Sequence, residues 1–138
     1  MNRTIDMTCM RYLNLFNKIT GVRTQSCFSY NRGLIFGVPQ SMVSRAIGEN
    51  GDNIKKMISI LNKKIKVVAM PNSVIDSEKF IAKIVDPVTF NGVEVAPEEI
   101  VISANRQSKA ILIGRDKVRF EELDKIVKEV FGKNLRIV

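Results

Sequence analysis

The chain contains no histidine and only two cysteines, Cys9 and Cys27, which have no C-x-x-C spacing. These shortages remove most zinc, haem and histidine-dependent catalytic schemes, because each needs an imidazole or a cluster of thiolates. Both cysteines sit among apolar neighbours and read as buried, reduced thiols. A disulfide between them stays open, because their spacing does not say whether the side chains meet. No apolar run approaches the roughly 20 residues of a membrane-spanning helix. The opening MNRTIDMTCMRYL lacks both the unbroken apolar stretch and the small-residue cleavage site of a secretory leader. The expectation is a cytoplasmic protein that does not enter a membrane.

Negative charge is scarce in one half only. Residues 1–70 hold three Asp/Glu against eleven Lys/Arg, whereas residues 71–138 hold eleven of each. The whole formal excess of +8 therefore lies in the first half. A field of that sign favours phosphate-rich partners such as nucleic acid or an anionic surface.

What is present is enough apolar material for a core: 138 residues, 45% of them hydrophobic, suit one ordinary domain or two very small ones. From Ile5 through Cys9, Leu13 and Phe16 to Ile19 the apolar residues recur at spacings of three and four, the pattern of an amphipathic helix ending at Thr20-Gly21. RTQSCFSY and GLIFGV are β-prone runs around the turn signal Asn31-Arg32-Gly33. PQSMVSRAI reads as a short helix entered at Pro39 and stopped by Gly48. Asp52 opens a second helical pattern, with Ile54, Met57, Ile58 and Leu61 on one face, and KIKVVAM reads as a strand.

After Pro71-Asn72-Ser73, read as a linker, the same order begins again. DSEKFIAKI reads as a helix, VTFNGVEV and EIVISA as strands around a proline-containing turn, and QSKAILI as a short helix or, by its β-branched content, a strand. A long helix over Val118 to Phe131 and a strand NLRIV close the chain. The expected organisation is two repeats, 1–71 and 72–138, each α-β-β-α-α-β.

The segment RAIGENGDNIKK (45–56) lies between two of these helices. Its glycine spacing matches neither the G-x-x-x-x-G-K-[ST] of a nucleotide-binding loop nor the G-x-G-x-x-G of a dinucleotide fold. Two glycines three apart allow positive φ and close approach of a polyanion to the backbone. The N–H groups at the start of the next helix can then face phosphate oxygens.

In this arrangement the chain resembles the KH module of RNA-binding proteins, whose GXXG loop clamps about four nucleotides of backbone. The helix-first order resembles the type II module, and two such modules in tandem resemble the archaeal NusA-like transcription factors. The resemblance is carried by YLNLFNKITGV, Cys27, GLIFGV, AIGENGDNIKKM and IKVVAM in the first half, and by KAILIGRDK and VFGKNLRIV in the second. It implies an α+β chain of two tandem type II KH modules, each with helices packed on a three-stranded mixed sheet. It also implies single-stranded RNA as ligand, a role in transcription termination or elongation, and RNA polymerase as a neighbour of a monomeric protein.

The implied RNA-binding residues are Arg45, Ile47, Gly48, Glu49, Asn50, Gly51, Asn53, Ile54, Lys55 and Lys56, with Gly114, Arg115, Asp116, Lys117 and Arg119 in the second module. Ile47, Ile54 and Val67 are candidates for an apolar base groove, with core packing the favoured reading for each. Two features depart from the pattern. Glu49 stands between the glycines, where its carboxylate opposes phosphate by on the order of 1 kcal/mol at about 4 Å in solvent. In the second loop the second glycine is Lys117, so close backbone approach there is in question.

Neither Glu98-Glu99 nor Glu121-Glu122 has a companion nucleophile or ligand, and adjacent side chains point apart. The expectation is therefore no enzyme, metal or cofactor. Two other readings stay open: a KH-fold adaptor that docks on RNA polymerase or a ribonucleoprotein with little RNA affinity, and a ribosome-assembly KH protein.

Overall fold

The computed structural model describes residues 7–138 apart from residue 25, with side chains from Cys9 onward. Ile5, the first residue of the expected apolar stripe, lies outside the described residues. The chain divides into two compact units at Met70 and Pro71.

In the first unit, α1 (Met7–Thr20) ends where Thr20 turns its hydroxyl inward. That hydroxyl donates to the Phe16 carbonyl at 2.7 Å and accepts from the Val22 amide at 3.0 Å, and Gly21 follows at φ +71°. Strands β1 (Ser26–Tyr30) and β2 (Gly33–Val38) pair antiparallel, with Tyr30 opposite Gly33. Between them Asn31 and Arg32 both take positive φ, 50° and 63°, as a two-residue turn matched to strand twist requires. A 3-10 turn, Gln40–Met42, leads into α2 (Val43–Ile47), so the helix expected from Pro39 is split at Met42. Then come α3 (Asp52–Leu61) and β3 (Lys64–Ala69), which lies parallel to β2 at the sheet edge.

Period-two alternation puts Leu34, Phe36 and Val38 on the helix-covered face of β2, beside Ile65 and Val67 of β3. Phe36 stacks on Phe16 of α1 with ring centroids 4.4 Å apart, and Ala46 of α2 and Met57 of α3 complete the core. Each fully buried side chain of this size contributes about 1.5–3 kcal/mol.

The second unit repeats the order with α4 (Ser77–Val85), β4 (Gly92–Val95), β5 (Glu99–Ser103), α5 (Arg106–Ile113), α6 (Val118–Phe131) and β6 (Asn134–Ile137). Again the first strand pair is antiparallel and the second parallel. The strand expected over VTFNGVEV is shorter than its composition suggests, because β5 ends at Ser103, opposite Gly92. Val88 instead bonds back to the Val85 carbonyl at 2.9 Å and continues the turn out of α4. QSKAILI is helix: Asn105 caps α5 by accepting the Ser108 amide at 2.8 Å, and Leu112 is fully buried. The result, among the described residues, is an α+β protein with two three-stranded mixed sheets and six α-helices.

The cysteines depart from expectation. Both are free thiols, but each is half-buried rather than buried, with the Cys9 Sγ 3.9 Å from the Cys27 carbonyl oxygen.

Candidate nucleic-acid interface

The segment between α2 and α3 is shaped by three residues in sparsely used conformations. Gly48 stands at φ 82°, ψ 169°, Asn50 at φ 55°, ψ 25°, and Gly51 at φ 73°, ψ 20°. The Gly48 amide closes α2 on the Ser44 carbonyl at 3.0 Å, and the Gly51 amide returns to the Gly48 carbonyl at 3.1 Å.

The two glycines serve different ends. A Cβ on Gly48 would lie 2.9 Å from Cγ and Nδ2 of Asn53 and 3.1 Å from its backbone nitrogen. Asn53 is held there because its Nδ2 donates to the Arg45 carbonyl at 3.2 Å, tying the end of α2 to the first turn of α3. Gly48 is therefore needed for internal packing. A Cβ on Gly51, by contrast, would meet nothing within 4 Å. Gly51 supplies the left-handed turn and leaves the space above it open.

That open space lies at the start of α3, whose N-terminus has no side-chain cap. Its amides carry the positive end of the helix dipole. Lys55 and Lys56 are exposed on the same helix, and Ile47 and Ile54 are half-buried on either side of the loop. Val67, the third candidate for a base groove, packs against the core cluster. Arg45 is exposed, and its Nη2 reaches to 3.7 Å from where a Cβ on Gly21 would stand, so the guanidinium leans toward the end of α1. Glu49 and Asp52 are also exposed, and they are the only carboxylates described between residues 7 and 70.

The second loop follows the same backbone path. Gly114 is at φ 74°, ψ 176°, Asp116 at φ 55°, ψ 26°, and Lys117 at φ 61°, ψ 20°. Lys117 thus holds the left-handed conformation of Gly51 with a full side chain in place of open space. Arg119 takes the position of Asn53: its Cβ and Cγ lie 3.0 Å from a Cβ built on Gly114. Arg119 is half-buried and its stem covers the turn, whereas Arg115, Asp116 and Lys117 are exposed. The flanks differ in chemistry. Counting from the first glycine, Arg45 becomes Ile111, Asp52 becomes Val118, and Lys55-Lys56 become Glu121-Glu122. Ile111 and Val118 are 46% and 52% exposed, so the second loop has apolar shoulders where the first has charged ones.

The sequence placed Asn53 in the site by adjacency and missed its role as the strut against Gly48. The signal was the five-residue spacing, repeated as Gly114 to Arg119. Among the described residues no group of three His, Cys, Asp or Glu is placed to hold a metal ion, and no helix is long and apolar enough to cross a membrane.

No protein-family profile matches the chain. A curated relative, the probable transcription termination protein NusA of Halococcus morrhuae, is 23% identical over 134 residues, which is 95% of this chain and 94% of that protein. Among solved structures, the crystal structure of APE1850 superposes with a TM-score of 0.66 at 26% identity, covering 94% of this chain and 96% of the other. Over nearly its full length the chain is similar to a NusA homologue in sequence and to APE1850 in fold.

Proposed function

We propose that the protein is an RNA-binding transcription factor of the NusA kind, built from two tandem type II KH modules. Single-stranded RNA lies across residues 45–56, with phosphates toward the first turn of α3 and Lys55-Lys56, and bases toward Ile47 and Ile54. It acts by binding alone, as a monomer in the cytoplasm without catalysis or cofactor, beside RNA polymerase. The observation that carries this reading is the open left-handed turn at Gly51 over an uncapped helix start. A loop of that build clamps about four nucleotides in KH modules. The near full-length similarity to a NusA homologue supports the same assignment.

For the second unit a different reading is favoured by a specific observation. The exposed Ile111 and Val118 beside its loop, with acidic Glu121 and Glu122 in place of the lysines, suit contact with protein better than with phosphate. In this reading the second unit is the docking half.

Gly51→Asp tests the RNA site, because space is available for the side chain and its charge opposes phosphate, at the modest cost of an aspartate in the left-handed turn. The expected result is a folded protein whose affinity for a short single-stranded RNA falls at least tenfold in 0.1 M salt. An unchanged affinity in the folded variant would place the RNA elsewhere.

A further inference from the structure

The positive charge of the first unit is not centred on its glycine loop. The two described carboxylates of residues 7–70, Glu49 and Asp52, both sit at that loop, and they offset most of what Arg45, Lys55 and Lys56 supply. Residues 53–75 contain no Asp or Glu, and neither do residues 7–48. Of the cations left uncompensated, three gather at the far end of α3. There Asn62, at φ 53°, ends the helix and Lys63-Lys64 lead into β3. Lys64 pairs with Gly33 in the parallel ladder, so closely that a Cβ on Gly33 would lie 2.8 Å from the Lys64 carbonyl oxygen. Gly33 is preceded by Arg32 at the tip of the β1–β2 turn. Two turns distant in sequence therefore bring Arg32, Lys63 and Lys64 to one end of the sheet, and all three are exposed.

The backbone at this end is also informative. Arg32 holds φ 63° in a turn position where glycine is strongly preferred, so a cation is kept there against a conformational penalty.

We propose that Arg32, Lys63 and Lys64 form a second phosphate-contact patch, which receives the continuation of an RNA strand held at the glycine loop. This proposal rests on the RNA-binding reading above. α3 has ten residues and spans about 15 Å, so nucleotides beyond the roughly four clamped at the loop are needed to reach the patch. An RNA tetramer that fills the loop stops short of the patch, and a 12-mer reaches it. Separation beyond the ~10 Å screening length at 0.1 M salt makes the two sites electrostatically independent.

The test measures binding of a single-stranded tetramer and a 12-mer to the full chain over a range of salt. The proteins compared are the parent, Gly51→Asp, the triple variant Arg32→Ala/Lys63→Ala/Lys64→Ala, and a control with equal charge loss, Arg11→Ala/Lys18→Ala/Arg23→Ala. Circular dichroism establishes that each is folded. For the triple variant the expected results are unchanged tetramer binding and at least tenfold weaker 12-mer binding. Its log–log salt slope should be shallower by about 2, from three phosphates at roughly 0.7 each. The control should keep most of the 12-mer affinity.

Unchanged 12-mer binding and slope in the triple variant, with the parent binding both RNAs, would overturn the patch alone. Equal losses in triple variant and control would overturn it in favour of a diffuse field. A 12-mer that depends on the triple but not on Gly51 would keep the patch and remove the loop. No binding of either RNA by the parent would remove both.

Discussion

Asn53 braces Gly48: its side-chain amide donates to the Arg45 carbonyl at 3.2 Å, and its Cγ would stand 2.9 Å from any Cβ added to the glycine. A methyl group there must move a side chain that is already tied down, at a φ of 82° that disfavours any Cβ. Gly48→Ala should cost about 2 kcal/mol, measured by denaturant midpoint. Adding Asn53→Ala should recover part of that loss by removing the obstructing amide.

Gly51 and Lys117 test conformation without crowding. Both are left-handed at ψ 20°, yet one is glycine and the other carries a long side chain. Lys117→Gly should stabilise the protein by about 0.5–1 kcal/mol, the relief of left-handed strain exceeding the added entropy of the unfolded chain. Gly51→Lys should destabilise by a similar amount while the fold survives. Chemical denaturation of both variants gives the comparison.

Glu49 is exposed at the apex of the first loop, on the face assigned to phosphate. Glu49→Lys should tighten RNA binding about thirtyfold at low salt, as a repulsion on the order of 1 kcal/mol becomes an attraction of similar size. The gain should fade toward 1 M salt. Titrations at two salt concentrations check it, and an equal affinity at both would mean that Glu49 points away from the RNA.

Thr20 is a structural counterpart. Its buried hydroxyl serves the Phe16 carbonyl and the Val22 amide at once. Thr20→Val keeps the shape but leaves the amide unpaired, and it should cost about 1–2 kcal/mol. RNA affinity of the folded fraction should stay at the parental value, as read by combining thermal unfolding with binding titration.

Much of this fold was legible because its signals were local. GLIFGV is β2 from end to end, and Val118 to Phe131 is α6, since hydrophobic periodicity and flanking glycines act within a few residues. QSKAILI was ambiguous by propensity and was decided by the Asn105 cap at one end and Gly114 at the other. The strand in VTFNGVEV was overextended because its length is set by β5, a partner that composition does not reveal.

The site divides the same way. The glycine loop showed in its spacing, whereas Lys117 in a left-handed turn did not, because a lysine gives no sign of positive φ. Nor could the sequence show that Arg32 and Lys64 meet at one sheet end, since their proximity depends on parallel register.

On the proposed function, single-stranded RNA contacts the backbone between α2 and α3. Amide chemical shifts recorded while a short single-stranded RNA is titrated into the protein test it most directly. The expected result is a saturable set of shifts concentrated at Gly48, Glu49, Asn50, Gly51 and the first turn of α3, with Asn105 to Gly114 little changed. Shifts confined to the second unit, or none at RNA concentrations that saturate binding by another method, would contradict it.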